Sequence, residues 1–167
     1  MTGGRNKVLE DSQVRQKIRR MAYEIVENNF NAKTIVLAGI DGQGYRLAQL
    51  LSKEIATISS VEPREVKILI DKKNPEKSKV TLDVELSELK KKIVVVVDDV
   101  LNTGRTLTYA MKPLLTIELE KIQVAVLVNR SHPLFPVQPS YTGYELSTTL
   151  SDHVEVVLEK KSAVYLH

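Results

Sequence analysis

Cysteine is absent from the 167 residues of this chain. Disulfides, thiolate metal sites and a cysteine nucleophile are therefore excluded. Long apolar runs are also absent, so no stretch would cross a membrane, and no signal-like apolar core follows Met1–Lys7. Internal repeats and low-complexity tracts are missing as well. These absences predict a cytoplasmic protein with no membrane partner.

The residues that are present have the composition of a globular chain, with 43% hydrophobic and 27% charged residues. A length of 167 residues predicts one domain, spanning 1–167, with room for a sizeable core. The formal net charge of +3 suits an anionic ligand. The same charge permits binding to nucleic acid without arguing for it.

The most informative stretch is a β-branched run, Ile93–Val97, which ends in two carboxylates, Asp98 and Asp99. The run predicts a buried parallel strand. Ligands of open α/β sheets bind at the carboxyl ends of the strands, so we expect the chemistry at this junction. Adjacent carboxylates repel each other unless something neutralises them, which favours a binding role. The alternative is that they only end the strand and cap a helix.

The residues after the acidic pair predict a phosphate site. A helix that opens near Thr103–Thr106 would present backbone N–H groups that have no partner within the helix. Gly104 lets the backbone approach a phosphate, and Arg105 adds positive charge. Phosphate donors beside two carboxylates suit a sugar phosphate whose hydroxyls, or a bound Mg²⁺, face the acids.

A second strand–loop–helix unit lies earlier in the chain. The run Thr34–Gly39 predicts a strand, and the apolar residues between Leu47 and Ile58 predict a helix. The loop Gly39–Gly44 between them could hold a second anion, or its glycines could serve only a tight turn. The sequence alone does not choose between these two interpretations.

The rest of the chain predicts an α/β fold with a mainly parallel central sheet flanked by helices. A helix is expected from Asp11 onward, and another after the phosphate loop, interrupted near Pro113. Residues 66–85 predict a hairpin or flap attached to the sheet, and 133–143 predict an irregular lobe. Further strands are predicted over 66–70, 80–84, 123–128, 154–158 and 163–166, the last two forming a terminal hairpin.

Basic side chains are frequent on the first predicted helix. They are Arg15, Lys17, Arg19 and Arg20. We interpret them as a solvated face, because apolar residues at helical spacing occupy the opposite side. A basic surface for RNA is the alternative interpretation.

The stretch Val96–Thr106 closely resembles the phosphoribosyl-pyrophosphate (PRPP) motif of type I phosphoribosyltransferases. Within that family, the chain is most similar to the bifunctional regulators of pyrimidine operons that are also uracil phosphoribosyltransferases. The similarity extends over most of the chain, including Ile35–Ile40, Gly44–Leu51, 124–132 and 163–165. It implies the family fold with a flap and a small hood contributed by 129–167. It also implies Mg²⁺, PRPP and a nucleobase as ligands, and a homo-oligomer.

The resemblance also implies roles for particular residues. Asp98 and Asp99 would hold the ribose hydroxyls near Mg²⁺. The 5-phosphate loop would comprise Asn102, Thr103, Gly104, Arg105 and Thr106. The pyrophosphate loop would comprise Ile40, Asp41, Gly42, Gln43 and Gly44. The base pocket would include Asn129, Arg130 and His132.

Three departures from the family pattern bear on activity. The regulators carry basic residues in the pyrophosphate loop, where this chain has Asp41, Gly42 and Gln43. The flap is also short. Purine-specific relatives carry an aspartate at the position of Asn102, so a pyrimidine substrate is favoured. We therefore expect transfer of phosphoribose to uracil, yielding UMP and pyrophosphate. The alternative is a PRPP- or nucleotide-sensing RNA-binding regulator with little catalysis.

Overall fold

Two β-sheets organise the part of the chain, residues 4–167, that the computed structural model describes. The strands are β1 (Asn6–Leu9), β2 (Thr34–Ile40), β3 (Glu62–Leu69), β4 (Thr81–Leu82), β5 (Ile93–Leu101), β6 (Lys121–Asn129), β7 (Tyr141–Glu145), β8 (Val154–Val157) and β9 (Ala163–Leu166). The α-helices are α1 (Asp11–Asn28), α2 (Gln43–Ile58) and α3 (Arg105–Ala110). Short 3₁₀ helices occupy Leu86–Leu89 and Leu114–Thr116.

The main sheet has six strands in the order β4-β3-β2-β5-β6-β7. All its pairings are parallel except the antiparallel pairing of β3 with β4. The smaller sheet is antiparallel, in the order β1-β9-β8, and we call it the hood. The mainly parallel α/β sheet flanked by helices that the sequence predicted is confirmed.

The main sheet is covered on both faces. Val95 and Val97 of β5 join a hydrophobic cluster with α1, α2 and the hood. Val94 and Val96 point the other way and join a cluster that includes Leu107 of α3. Because successive strand residues face opposite sides, burial on both faces requires a continuous apolar run. Because β5 lies between β2 and β6, its carboxyl end lies in the middle of the sheet.

The flap differs in detail from the prediction over 66–85. Its hairpin exists, since Ile68 pairs with Leu82, but the second strand is β4 of two residues instead of 80–84. Beyond it, Asp83 N–H donates to the carbonyl oxygen of Lys67 at 3.1 Å, and Lys67 N–H donates to the carboxylate of Asp83 at 2.8 Å, so backbone and side chain of Asp83 together extend the pairing. Residues 70–80 between the strands are irregular.

The segment 133–143 was expected to be irregular throughout, and this is wrong for 141–143. Tyr141 opens β7, which pairs in parallel with β6 and belongs to the main sheet rather than to the hood. Gly143 permits the close packing, because a Cβ there would lie 2.7 Å from the carbonyl oxygen of Leu127. The hood instead recruits Asn6–Leu9 from the other end of the chain.

The helix after the phosphate loop is shorter than its apolar pattern indicated. It ends at Ala110, and a separate 3₁₀ turn follows at Leu114–Thr116. Pro113 has no N–H to donate and disfavours helical backbone in the residue before it. Among the helices that the structure describes, none is both long and apolar enough to span a membrane.

Candidate active site

The acidic pair lies at the carboxyl end of β5, in the middle of the main sheet. β2 and β6 cover the two edges of the strand, and Asp98 is only 5% exposed. Its Oδ1 accepts a hydrogen bond of 2.9 Å from the N–H of Asp99. The Oδ1 of Asp99 accepts a bond of the same length from the N–H of Val100. These bonds use one oxygen of each carboxylate and hold the two groups side by side.

Burial raises the pKa of Asp98 well above its ordinary value, and the neighbouring charge of Asp99 raises it further. The ammonium of Lys72, which comes from the flap, acts in the opposite direction. The acidic pair therefore gains from any cation or hydrogen-bond donor that enters the site.

The carboxylates at this site fit Mg²⁺ only in part. Over residues 4–167, no cluster of three or more His, Cys, Asp or Glu side chains is placed to hold a metal ion. Asp98 and Asp99 supply the oxygen ligands that Mg²⁺ prefers, but too few to fill its six positions. The two acids therefore fit an ion whose other ligands come from a phosphate compound and water.

The loop Asn102–Gly104 connects β5 to α3. Gly104 has φ 86°, in the left-handed region that favours glycine. The N–H of Arg105 donates to Thr103 Oγ1 at 3.3 Å, and the first helical bond runs from Thr108 N–H to Gly104 oxygen at 3.0 Å. The N–H groups of the intervening helix residues therefore have no acceptor within the helix. Because α3 is only six residues long, the donors arise from the loop and first turn rather than from a long helix dipole.

The far wall of the loop is held by the segment after β6. The carbonyl oxygen of Thr103 accepts hydrogen bonds from the N–H groups of Leu134 and Phe135, at 2.9 and 3.1 Å. A Cβ on Gly104 would contact Phe135 and Val137 at 3.4–3.5 Å. These contacts fix the loop from behind and leave its other side open.

A cavity of about 300 Å³ joins the loop to the acidic pair. The sequence-predicted residues Asp98, Asp99 and Asn102–Thr106 all line it. Two groups that sequence reasoning missed complete the lining: Lys72 from the flap, and His153–Val156 of the hood. The structure thus brings the predicted ribose and 5-phosphate residues together in one cavity.

The flap is fastened over this cavity by an ion pair. Glu76 and Arg105 bond through their side chains, which join the flap to the first residue of α3. Pro75, next to Glu76, is buried. The guanidinium expected to add charge to the phosphate loop therefore also closes the flap against it.

The loop predicted for pyrophosphate, residues 40–44, approaches the acidic pair through Gly44. A Cβ on Gly44 would lie 2.9 Å from Asp98 Oδ1, so only glycine allows this approach. Ile40 is fully buried in the core, and the side chain of Gln43 accepts a bond of 3.0 Å from the N–H of Leu158 in the hood. Ile40 and Gln43 therefore have structural contacts of their own.

Two lysines balance the acid in this loop. Lys67 Nζ lies 3.9 Å from Asp41 Oδ1. Lys72 Nζ lies 3.9 Å from the position of a Cβ on Gly42, whose φ is 99°. Lys67 belongs to β3 and Lys72 follows it. Because β3 pairs with β2, both lysines reach the loop from the neighbouring strand. The basic residues missing from the loop are thus matched by lysines beside it.

Arg130, one of the residues predicted for the base pocket, has its guanidinium occupied by hydrogen bonds. Its guanidinium donates to Asn102 Oδ1 at 2.7 Å, Thr148 Oγ1 at 2.9 Å and the carbonyl oxygen of Asp152 at 2.7 Å. His132 also contacts Thr148, at 2.9 Å from its carbonyl oxygen. Arg130 and His132 do not line the cavity of the acidic pair. They tie the phosphate loop to the segment that leads into the hood.

A larger and more apolar cavity, of about 620 Å³, lies beside the first. Asn102 lines both cavities. Asn129, the third residue predicted for the base pocket, lines the larger one with Ser131, Phe135 and Val137. The two cavities therefore meet at Leu101 and Asn102, and Asn102 supplies the polar side chain there.

Lys72 and His153–Val156 were missed for identifiable reasons. Lys72 belongs to a polar segment that holds several lysines, and no local signal distinguishes the one that reaches the cavity. His153–Val156 has the pattern of an ordinary strand end. Its position beside the phosphate loop depends on packing between distant parts of the chain.

Solved structures of two phosphoribosyltransferases have the same fold as this chain. The hypoxanthine phosphoribosyltransferase of Trypanosoma cruzi matches with a TM-score of 0.77 over 95% of both chains, at 16% identity. A hypoxanthine-guanine phosphoribosyltransferase from Bacillus anthracis matches with a TM-score of 0.72 over 85% of this chain and 84% of that one, at 17% identity. At such low identity the likeness establishes the fold.

The chain belongs to the phosphoribosyl transferase domain family, whose model matches residues 5–159. Two similar curated proteins are both called bifunctional protein PyrR. The one from Fusobacterium nucleatum is 32% identical over 160 residues, and the one from Bacillus cereus is 36% identical over 163 residues. Each alignment covers 92% of this chain and 90% of the relative. The resemblance to type I phosphoribosyltransferases and to the bifunctional regulators is therefore confirmed.

Proposed function

We propose that this protein binds Mg–PRPP and transfers phosphoribose to uracil, releasing UMP and pyrophosphate. The observation that carries the proposal is the cavity in which Asp98, Asp99 and the loop Asn102–Thr106 meet. Carboxylate acceptors and backbone donors at one parallel-strand edge match the hydroxyls and the phosphate of a sugar phosphate. We further propose that residues 1–167 form one catalytic domain, active in the cytoplasm as a homo-oligomer.

In the proposed reaction, the bond between ribose C1 and pyrophosphate breaks, and a bond from C1 to a ring nitrogen of uracil forms. The ring nitrogen loses its proton to water or to the departing pyrophosphate. Asp98 and Asp99 would accept hydrogen bonds from the ribose hydroxyls and offset positive charge that develops on the ring. The loop 102–106 would anchor the 5-phosphate, so that its main contribution is positioning.

The leaving pyrophosphate would lie between loop 40–44 and the flap. The ammonium of Lys72 lies near Gly42, and its charge opposes the rise in the pKa of Asp98. It is therefore close both to loop 40–44 and to the acidic pair. Mg²⁺ bound with PRPP would neutralise charge on the leaving group. Lys67, paired with Asp41, limits the repulsion between that acid and the pyrophosphate.

We propose that the base occupies the apolar cavity next to Asn102. Phe135 and Val137 supply apolar walls, and the amides of Asn102 and Asn129 supply polar contacts. Because Arg130 holds Asn102 Oδ1, the amide nitrogen of Asn102 is turned toward donation. A carbonyl oxygen of uracil suits that donor.

The decisive experiment is product detection with Mg–PRPP and a panel of bases that includes uracil, cytosine, hypoxanthine and guanine. We expect UMP and pyrophosphate in equal amounts from uracil. The D98N/D99N variant is the inactive control, because it keeps the side-chain shapes but removes both charges. Preferential formation of a purine nucleotide, or equal PRPP binding by the variant, would refute this proposal.

A second candidate function is a PRPP- or nucleotide-sensing RNA-binding regulator with weak catalysis. The exposed acid Asp41 in the pyrophosphate loop favours it, since an acid there opposes pyrophosphate binding. The PyrR relatives are called bifunctional, which is consistent with a role beyond one activity. On α1, however, Arg15 pairs with Asp11 and Arg20 with Glu24, so acidic neighbours balance two of its four basic side chains.

Titration with a candidate pyrimidine-operon leader RNA, with and without UMP, tests this second candidate. A regulator would bind the RNA with an affinity that falls as salt rises, because phosphate contacts release counterions. Absent or salt-independent binding would exclude it.

A further inference from the structure

A basic cleft lies at the end of the main sheet opposite the acidic pair. It has a volume of about 490 Å³ and is built from the connections that enter β2, β5 and β6. Carboxyl strand ends carry the proposed active site, so this amino-terminal edge is a separate surface. The proposed function does not use any of its residues.

Charge is concentrated in this cleft. Its lining contains four lysines and one acidic residue: Lys33, Lys91, Lys92, Lys121 and Glu120. The formal net charge of the whole chain is +3, so the cleft accounts for the whole excess while the rest of the molecule is balanced. A local excess of this kind attracts anions.

None of the four lysines has an ion-pair partner in residues 4–167, and the ammonium groups of three of them also donate no hydrogen bond there. These three are Lys33, Lys91 and Lys92. The fourth, Lys121, donates to Asn29 Oδ1 at 2.8 Å and to the carbonyl oxygen of Asn28 at 3.3 Å. It thus caps the last carbonyl of α1, where a positive charge is favourable, and it belongs to the lining of the cleft.

The backbone at Lys91 is held in an unfavourable conformation. Lys91 has φ 62°, where glycine is preferred, and its N–H donates to the carbonyl oxygen of Glu118 at 2.7 Å. Glu120 N–H donates to the carbonyl oxygen of Lys92 at 3.0 Å. The two backbone bonds fix the lysine pair at the rim.

An aromatic ring and amides complete the lining. Phe30 lies in the turn after α1 and is 75% exposed, although most of the chain's large apolar side chains are buried. Asn31, next to it, is also exposed. A ring face beside amides and several ammonium groups is the combination that stacks a base, reads its edge and binds its phosphates.

We propose that this cleft binds a free nucleoside polyphosphate as a second, non-catalytic ligand. The base would stack on Phe30, and the phosphates would lie against Lys33, Lys91 and Lys92. A volume of about 490 Å³ is in the range of small-ligand pockets, which favours a free nucleotide over a long RNA strand. The inference is independent of the reaction proposed above.

The experiment uses the full chain, with ATP as the probe and isothermal titration calorimetry as the readout. Saturating Mg–PRPP is present throughout, so that the proposed active site is occupied. We expect one ATP per chain and a dissociation constant that K33Q/K92Q raises at least about tenfold, equivalent to about 1.4 kcal/mol. K160Q/K161Q is the matched control, because it removes the same charge from exposed lysines outside the cleft.

Two further arms separate the parts of the proposal. F30S should weaken ATP but leave tripolyphosphate binding unchanged, because tripolyphosphate has no base to stack. Phosphoribosyl transfer by K33Q/K92Q, assayed without ATP, should equal that of the wild type, which also shows that the variant folds. The proposal is overturned if the wild type does not bind ATP under these conditions, or if K33Q/K92Q and the control bind equally. Tighter binding of a mixed-sequence RNA oligomer than of ATP, abolished by K33Q/K92Q, would overturn it in favour of an RNA surface.

Discussion

At the residue scale, Asp98 combines burial with function. It follows four consecutive valines, and its carboxylate is almost removed from solvent. Burial and the charge of Asp99 raise its pKa, so the ionised form costs stability. A buried carboxylate that destabilises the folded chain when it is charged is most simply explained by a role in ligand binding.

The first prediction concerns D98N. The folded-state pKa of Asp98 lies above its unfolded value, so its favourable contribution is present at low pH and is lost as pH rises through the folded-state pKa. The amide has no such loss. We therefore expect D98N to raise Tm at pH 8 by about 2–4 °C per kcal/mol relieved, and to raise it less at pH 5.

Scanning calorimetry between pH 5 and pH 8 checks this result. E159Q is the control, because it removes an exposed carboxylate elsewhere. A Tm difference between D98N and the wild type that does not grow with pH would contradict the argument.

The second prediction concerns Lys72. If its ammonium supplies the charge that loop 40–44 lacks, K72M should weaken pyrophosphate and PRPP binding about tenfold, the cost of one charge-assisted contact. Calorimetric titration with Mg–pyrophosphate measures the effect directly. The neighbouring lysine does not line the cavity, so K73M is a matched control with the same charge change. Equal losses in both variants would indicate a general effect of charge.

At the element scale, the site depends on two strand-to-helix joints that converge. β2 leads through 40–44 into α2, and β5 leads through 102–104 into α3. The β2 joint packs on the β5 joint through Gly44, which leaves no room for a side chain beside Asp98. The flap then closes on the second joint through Glu76 and Arg105. The two strand-to-helix joints and the flap are thus held to one another by direct contacts.

The third prediction tests the contact between the joints. In G44A, the new Cβ would lie 2.9 Å from both Asp98 Oδ1 and the carbonyl oxygen of Val97. Relief requires α2 to move away from β5, so we expect a loss of about 1–3 kcal/mol in the free energy of unfolding. PRPP binding should weaken as well.

Urea unfolding and PRPP titration measure the two effects of G44A. G4A is the control, because the nearest atom to its Cβ is 4.0 Å away. Unchanged stability in G44A would show that the helix start is free to shift.

At the scale of the whole molecule, long-range polar bonds join the hood and the turn within it to helices α1 and α2. Arg46 Nε donates to the carbonyl oxygen of Leu158 at 3.1 Å, and Asp11 accepts from the N–H of Ser162 at 2.8 Å. Arg130 adds the bonds between Asn102 and the segment 148–152. The guanidinium of Arg130 therefore connects the loop 102–104 to the segment that leads into the hood.

The fourth prediction concerns Arg130. R130M should cost about 1–3 kcal/mol of stability, because it leaves several acceptors without their donor. Hydrogen exchange should increase in two separate segments, 102–106 and 148–152, and KM for the base should rise more than KM for PRPP. R19M is the control, since Arg19 is exposed and has no ion pair in the described residues. Faster exchange in 148–152 alone would show that Arg130 does not couple the two segments.

The sequence was most informative where the signal is local. The run Ile93–Val97 predicts a buried strand because each residue must be apolar when both faces are covered. The order of residues from Asp98 to Thr106 predicts a loop of the phosphate-binding type, because acceptors, a glycine and hydroxyls are needed at fixed spacing. Helix α1 follows from the spacing of its apolar residues. Local chemistry therefore determined the central strand, the loop and the family.

Only the tertiary structure decided what reaches these residues from elsewhere. Lys72 enters the cavity because β3 lies next to β2, and Arg130 reaches Asn102 and Thr148 because β6 lies next to β5. Tyr141 starts a strand because β6 offers it an edge, although its own segment is rich in proline. The physical reason is the same in each case. Long side chains and strand edges bond to whatever the fold brings near them, and the local sequence does not encode that proximity.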